Sequence, residues 1–178
     1  MSTQIEELLI NEEIPANNKV SSIKEASDIE YERYLLQAKN KDFSSVSYTG
    51  VCSVAGVDAF NRPIVLFLAD KLRRYNINLD SLLLYLIQLL DPIVSSSYIL
   101  IYIHGSLDSH QIPSFNWLKT AYTIFNRKYK KNLKELYIVR PSRWLKLLFG
   151  CFRPFISTKF WKKLTYVDEI KNLMMYNR

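Results

Sequence analysis

The chain has 178 residues, of which 48% are hydrophobic and 23% charged, and a formal net charge of +7. That length suits one domain with a substantial buried core. Its two distant cysteines, Cys52 and Cys151, exclude a disulfide framework and any metal-ligand spacing. The first eighteen residues, with Glu6, Glu7, Glu12, Glu13, Asn17 and Asn18, read as a poorly ordered lead-in without the basic and apolar regions of a signal peptide. The richest apolar run, Leu82–Leu90, falls well short of the roughly 20 residues that span a bilayer. The reading is therefore a soluble, cytoplasmic protein.

Ser21 and Ser22 with Glu25 supply helix-start signals. Ile23, Ala26, Ile29, Tyr34 and Ala38 recur at helical spacing, which predicts an amphipathic helix over 22–41. A polar stretch, "NKDFSSVS" (40–47), then tethers it to the rest. Val51–Ala55 and Pro63–Leu68 are apolar segments either side of the turn-rich "GVDAFNRP"; the second is β-branched and aromatic enough for a buried strand. Leu79–Leu90, behind Asn78 and Asp80, is apolar nearly all round and predicts a buried helix. Ser97–His104, "SYILIYIH", predicts the central strand.

Pro113 opens a helix with Trp117, Ala121, Ile124 and Phe125 on one face, and Leu136–Val139 predicts a short buried strand. Pro141 is placed in the first turn of "PSRWLKLLFGCF", and Ser157 or Thr158 caps "KFWKKL". A last strand at Thr165–Val167 and a terminal helix over 168–175 complete the order. Strands alternating with helices imply an α/β fold with a mostly parallel sheet. The domains are a lead-in (1–20), an N-terminal helix (21–42) and an α/β domain (43–178).

The positive charge is regional. Residues 127–163 hold twelve lysines and arginines and one acid, Glu135. Lys128, Lys130, Lys131 and Lys134 lie where a helix ends, a position that favours cations against the helix dipole. That does not account for the continuation through Arg140, Arg143, Lys146, Arg153, Lys159, Lys162 and Lys163. These bases interleave with Trp144, Phe149, Phe152, Phe155, Phe160 and Trp161, a pattern that suits an anionic membrane interface. The expected anionic patch is Lys130, Lys131, Arg143, Lys146, Arg153, Lys159, Lys162 and Lys163.

Ser106, Asp108 and His110 in "HGSLDSH" are triad-type residues, but crowded into one loop with no G-x-S-x-G they lack the nucleophile turn and oxyanion hole of a hydrolase. With four glycines and neither a P-loop nor a dinucleotide fingerprint, no cofactor and no catalytic residue are expected. Cys52 and Cys151 read as core thiols. A sequence pI near 9.3 keeps nucleic acid in view, but no zinc-finger spacing or RNP signature supports it.

"GVCSVAGVDAFNRPIVLF", "SYILIYIHGSL" and above all "FNRKYKKNLKELYIVRPSRW" with "FRPFISTKFWKKL" resemble the BCH domain. This is the divergent CRAL-TRIO lipid-binding fold found ahead of the catalytic domain in some Rho GTPase-activating proteins. The likeness runs from about Phe43 to Leu173. It implies a non-enzymatic regulatory scaffold that binds a Rho-family small GTPase and self-associates; the tethered helix at 22–41, able to dock on its own subunit or on a neighbour, offers domain swapping as a route to a homodimer. The GTPase-activating domain of multidomain relatives has no room here.

On such a fold Val65, Phe67, Ile99 and Ile101 would floor an apolar lipid or prenyl cleft. Trp144 and Leu148, after Pro141, would cover it as a helical gate does. The same side chains could equally be ordinary core. The alternative function is a lipid-transfer module carrying a free lipid. Expected partners are thus a Rho-type GTPase, a second copy, and a prenyl group or anionic membrane lipid; no metal is expected.

Overall fold

The computed structural model describes residues 16–105, 113–125 and 127–172. A long helix, α1 (Ala16–Lys39), leads through a short α2 (Ser44–Tyr48) into the hairpin β1 (Cys52–Val57) and β2 (Pro63–Leu68). α3 (Asp70–Arg74) and α4 (Leu79–Leu90) connect to β3 (Tyr98–Ile103). α5 (Phe115–Ile124) and α6 (Arg127–Asn132) lead to β4 (Leu133–Val139). α7 (Arg143–Phe152), a 3-10 turn (Arg153–Phe155) and α8 (Thr158–Trp161) precede β5 (Leu164–Val167), and a further 3-10 turn spans Ile170–Asn172.

The sheet order is β1-β2-β3-β4-β5, with β1 antiparallel to β2 and every other pair parallel. Because the order is sequential, right-handed crossovers all advance the same way and lay their helices on one face of the sheet. Register then sorts the side chains. Val65 pairs with Leu100 and Leu100 with Leu136; Phe67 pairs with Tyr102 and Tyr102 with Ile138. These residues share the helix-covered face. Leu66, Ile101 and Tyr137 share the opposite one, where Ile99, Tyr137, Val139 and Val167 form a second, smaller cluster.

Caps explain the helix starts. Asn78, Ser114, Ser142 and Ser157 each accept a hydrogen bond from the backbone N–H three residues on. α7 therefore starts after Ser142, which displaces Pro141 to the residue before the cap. α1 begins at Ala16, earlier than the periodicity predicts and immediately after Pro15, a start signal in its own right.

The polar stretch read as a tether contains α2. Asp42 accepts from the Ser44 N–H at 2.9 Å, and the turn buries Phe43 and Val46. β4 gains three residues at its start because Leu133 pairs with Tyr98. α3 escaped the sequence reading; its Arg74–Asp70 pair (3.3 Å) is exposed. The proposed 168–175 helix is represented by the turn at Ile170–Asn172, and its remainder lies outside the described residues. Ser106, Asp108 and His110 also lie outside them.

Candidate functional site

Between the sheet and helices α4, α5 and α7 lies a cavity of about 320 Å³. Phe67, Leu100, Tyr102, Leu136 and Ile138 form its floor, one strand beside the next. Leu82 and Leu86 of α4, Trp117, Leu118, Ala121 and Tyr122 of α5 with Phe125 just after it, and Leu145, Leu148, Phe149 and Phe152 of α7 close it, with Phe160 at one side.

Aromatic packing holds this wall in shape. Phe67 stacks on Tyr102 (centroids 5.6 Å, 8°), Phe115 meets Phe152 at 4.5 Å, and Tyr122 meets Phe160 edge-on at 6.2 Å. Tyr102, Trp117 and Tyr122 are the cavity's only lining residues with polar side-chain atoms. Tyr102 Oη lies 3.3 Å from His104 Nδ1, and burial raises its pKa, so it stays neutral. Such a lining accepts hydrocarbon and offers nothing to a charged group inside. A broader groove of about 710 Å³ opens between α2 and α4, but its walls include Lys41, Asp42, Ser44, Ser47 and Gln88. Together with Phe43, Tyr48, Tyr85 and Leu89 they give it a mixed, open lining.

The structure divides the expected cleft residues. Phe67 and Leu148 line the cavity. Val65 is on the same face but fully buried beneath it, and does not line it. Ile99 and Ile101 lie on the opposite face; Leu100 and Tyr102 take the floor positions instead. The cause is physical: "YILIYI" is apolar on both faces, so no polar alternation sets its phase. Trp144 is on the outer side of α7 and 39% exposed. The sequence reading passed over α5, although its predicted apolar face already carried Trp117, Ala121 and Phe125, all of them lining residues.

The expected anionic patch also divides. Lys131, Arg143, Lys146, Arg153, Lys159 and Lys162 are exposed. Lys163 is partly buried; its ammonium donates to the carbonyls of Lys130 (2.7 Å) and Lys131 (3.2 Å), capping the C-terminal end of α6. Lys130 is half-buried with its ammonium 3.9 Å from the Tyr122 ring centroid. On α7 the exposed Trp144 and Leu147 (67%) lie between Arg143, Lys146 and Arg153. The helix is thus cavity wall on one side and a basic, apolar surface on the other. Among the described residues no helix is long and apolar enough to cross a membrane, and no group of metal-type ligands occurs.

Residues 61–177 match the model of the divergent CRAL/TRIO domain. The chain belongs to that family. It is 42% identical over 147 residues to a Rho GTPase-activating protein, gacY, of Dictyostelium discoideum, covering 83% of this chain and 20% of that protein. Rho GTPase-activating protein 1 of Homo sapiens is 43% identical over 124 residues (69% of this chain, 28% of the relative). A GDAP2 homologue of Drosophila melanogaster is 38% identical over 143 residues (80% and 26%).

The chain therefore spans under a third of these curated relatives, as a BCH-type domain within larger proteins does. The fold is similar to that in the crystal structure of Sfh5, with a TM-score of 0.64 and 17% identity, covering 82% of this chain and 57% of that one. In this divergent CRAL/TRIO domain the mostly parallel sheet flanked by helices is as the sequence implied.

Proposed function

We propose that this domain is a non-catalytic regulatory module that binds a Rho-family GTPase and takes part of the GTPase's prenyl chain into the cavity. The observation that carries the reading is a lining almost devoid of polar atoms in a domain whose relatives include Rho GTPase-activating proteins. At about 320 Å³ the cavity has room for part of one hydrocarbon chain. Each buried methylene is worth about 0.8 kcal/mol, so the cavity can add several kcal/mol to a weaker contact between protein surfaces.

Rho-type tails join a prenylated cysteine to a polybasic stretch. Such a tail is repelled by Arg143, Lys146 and Arg153, so anionic lipid between them completes the arrangement at a membrane. The decisive experiment compares prenylated and unmodified GTPase on the wild-type domain. Tighter binding of the prenylated form supports the reading, and equal binding sinks it. A lipid that co-purifies and is identified by mass spectrometry would favour the lipid-transfer alternative.

A further inference from the structure

We propose that the acidic segment 1–15 of this chain docks on the lysine surface where α6, α8 and the start of β4 meet, and so competes with an anionic membrane for that surface. The inference is independent of what occupies the cavity.

The surface is built by backbone. Lys163, just after α8, donates to the carbonyls of Lys130 and Lys131, and its own carbonyl accepts from the Leu136 N–H at 2.7 Å. These bonds lock α8 beside the C-terminal end of α6. Lys131, Lys134, Lys159 and Lys162 are thereby gathered around the Lys163 cap, and all four are exposed. Burial and then the charge of Lys134 lower the pKa of the Lys163 amine, so these charges lie close enough to act on one another. Among the described residues no carboxylate pairs with any of the four. Glu135, the lone acid of the basic segment, lies opposite Ile99 on the other face of the sheet, where it meets Tyr137 and Arg62. Like charges that the fold does not neutralise work against its compactness, and an anion among them relieves that cost. Beyond Arg153 the outer side of α7 exposes Leu147 and Trp144, and Gly150 leaves open space one turn from Leu147. The surface fits an occupant that is both acidic and apolar.

Residues 1–15 have that composition. Leu8, Leu9 and Ile10 stand between the pairs Glu6–Glu7 and Glu12–Glu13, with no lysine or arginine in the segment. The segment lies outside the described residues, but its attachment point does not. α1 starts at Ala16 and is anchored at Tyr31, whose hydroxyl meets that of Tyr129 in α6 at 2.9 Å. Ala16 is about 22 Å of helix from that anchor, and fifteen extended residues reach about 50 Å. The segment can therefore return to α6 and α8. A chain too polar to fold alone folds on a complementary surface. Because it is tethered, it acts at high effective concentration, and ion pairs that are individually weak suffice to hold it. An anionic bilayer must then displace it.

The test begins with carbodiimide, which couples carboxylates to lysine amines in contact with them, applied to the full chain. Products running at the mass of one chain on a denaturing gel are mapped by mass spectrometry. Glu6, Glu7, Glu12 or Glu13 should be joined to Lys131, Lys134, Lys159 or Lys162, in a yield that falls as salt is raised. No such products, products spread evenly to exposed lysines elsewhere such as Lys41 and Lys119, or links formed only between two chains overturn the inference. The second arm is sedimentation with phosphatidylserine vesicles. Glu6→Gln, Glu7→Gln, Glu12→Gln and Glu13→Gln together should bind about tenfold more tightly than wild type, the combined effect of releasing four exposed ion pairs. Asp28→Asn, Glu30→Gln, Glu32→Gln and Glu169→Gln together change exposed acids by the same net charge and should gain far less. Equal gains in the two variants, or no gain in the first, overturn the competition, since net charge or nothing at all then sets vesicle affinity.

Discussion

The hydroxyl of Tyr31 donates a 2.5 Å hydrogen bond to Asp91 Oδ1, joining α1 to the end of α4 across 60 residues of chain. The same hydroxyl meets Tyr129 Oη at 2.9 Å, and Lys128 pairs with Asp91. Tyr31 is 1% exposed and packs with Leu35 and Ala38. α1 is thereby fixed by a small polar network set in an apolar seam.

That network predicts an acid-sensitive anchor. Burial, the largest single influence on Asp91, would raise its pKa, but hydrogen bonds from Lys128 and Tyr31 together outweigh it and hold the carboxyl below its usual value. A depressed folded-state pKa stabilises the fold above the unfolded value, about 3.9, and that stabilisation is lost as pH falls through the folded-state pKa. Asp91→Asn should cost about 1–3 kcal/mol near neutral pH and Tyr31→Phe about 1 kcal/mol. Denaturant unfolding as a function of pH checks this. An Asp91→Asn chain as stable as wild type at pH 7 would show that the apolar seam alone holds α1.

A second prediction concerns the cavity. Ala121 lines it from α5, so Ala121→Phe places a ring in the space proposed for the prenyl chain. Overpacking costs about 1–3 kcal/mol, which a domain of this size tolerates. Prenylated GTPase should then bind no better than unmodified GTPase, with the unmodified affinity unchanged. Retention of the difference in Ala121→Phe would move the prenyl contact elsewhere.

How far the sequence carried these conclusions depended on which signals were local. The fold class and the ends of α4 were legible because Asn78 and the apolar run Leu79–Leu90 mark the helix without help from the rest of the chain. The cavity floor was not. Choosing Leu100 and Tyr102 over Ile99 and Ile101 requires the register of β3 against β2 and β4, a long-range property that an all-apolar strand does not disclose. The roles of Lys130 and Lys163 were hidden for the same reason, since the partners of a lysine on a basic run are set by tertiary packing and not by spacing. α2 was missed because its helical signal is five residues anchored by Phe43 and Val46, too short for periodicity to register.

The outer surface of α7 gives a third prediction. Trp144 and Leu147 are exposed between Arg143, Lys146 and Arg153, and no acid occurs from Leu136 to Val167. Each basic residue near an anionic bilayer is worth about 1 kcal/mol, screened within a Debye length. Reversing Arg143, Lys146 and Lys159 to Glu should weaken sedimentation with phosphatidylserine vesicles by two orders of magnitude or more and flatten its salt dependence. Leu147→Ser should weaken it less, and independently of salt. Lys163 is a poor choice for this test because its cap on α6 would be lost at the same time. Unchanged sedimentation of the triple reversal would make the cluster a solvated face.

The fourth prediction is self-association by exchange of α1. The helix docks through one apolar seam and one polar network, and Gln88 Nε2 adds donations to the carbonyls of Ala38 (2.8 Å) and Lys41 (3.4 Å) at its end. These partners lie on α4, on Asp91 just after it, and on α5 and α6, so an identical set is available on a second copy, and exchanging α1 keeps these contacts while costing only association entropy. What opposes exchange is the ease with which the chain reverses over residues 40–43 before α2. Deleting Asn40 and Lys41 removes that slack, strains the intramolecular path and leaves the intermolecular one open. Light scattering should therefore show a larger dimer fraction for the deletion than for wild type at equal concentration. Asp91→Asn, which weakens docking in both arrangements alike, should leave the ratio of dimer to monomer nearly unchanged. A monomer mass for wild type and deletion across a wide concentration range would rule exchange out.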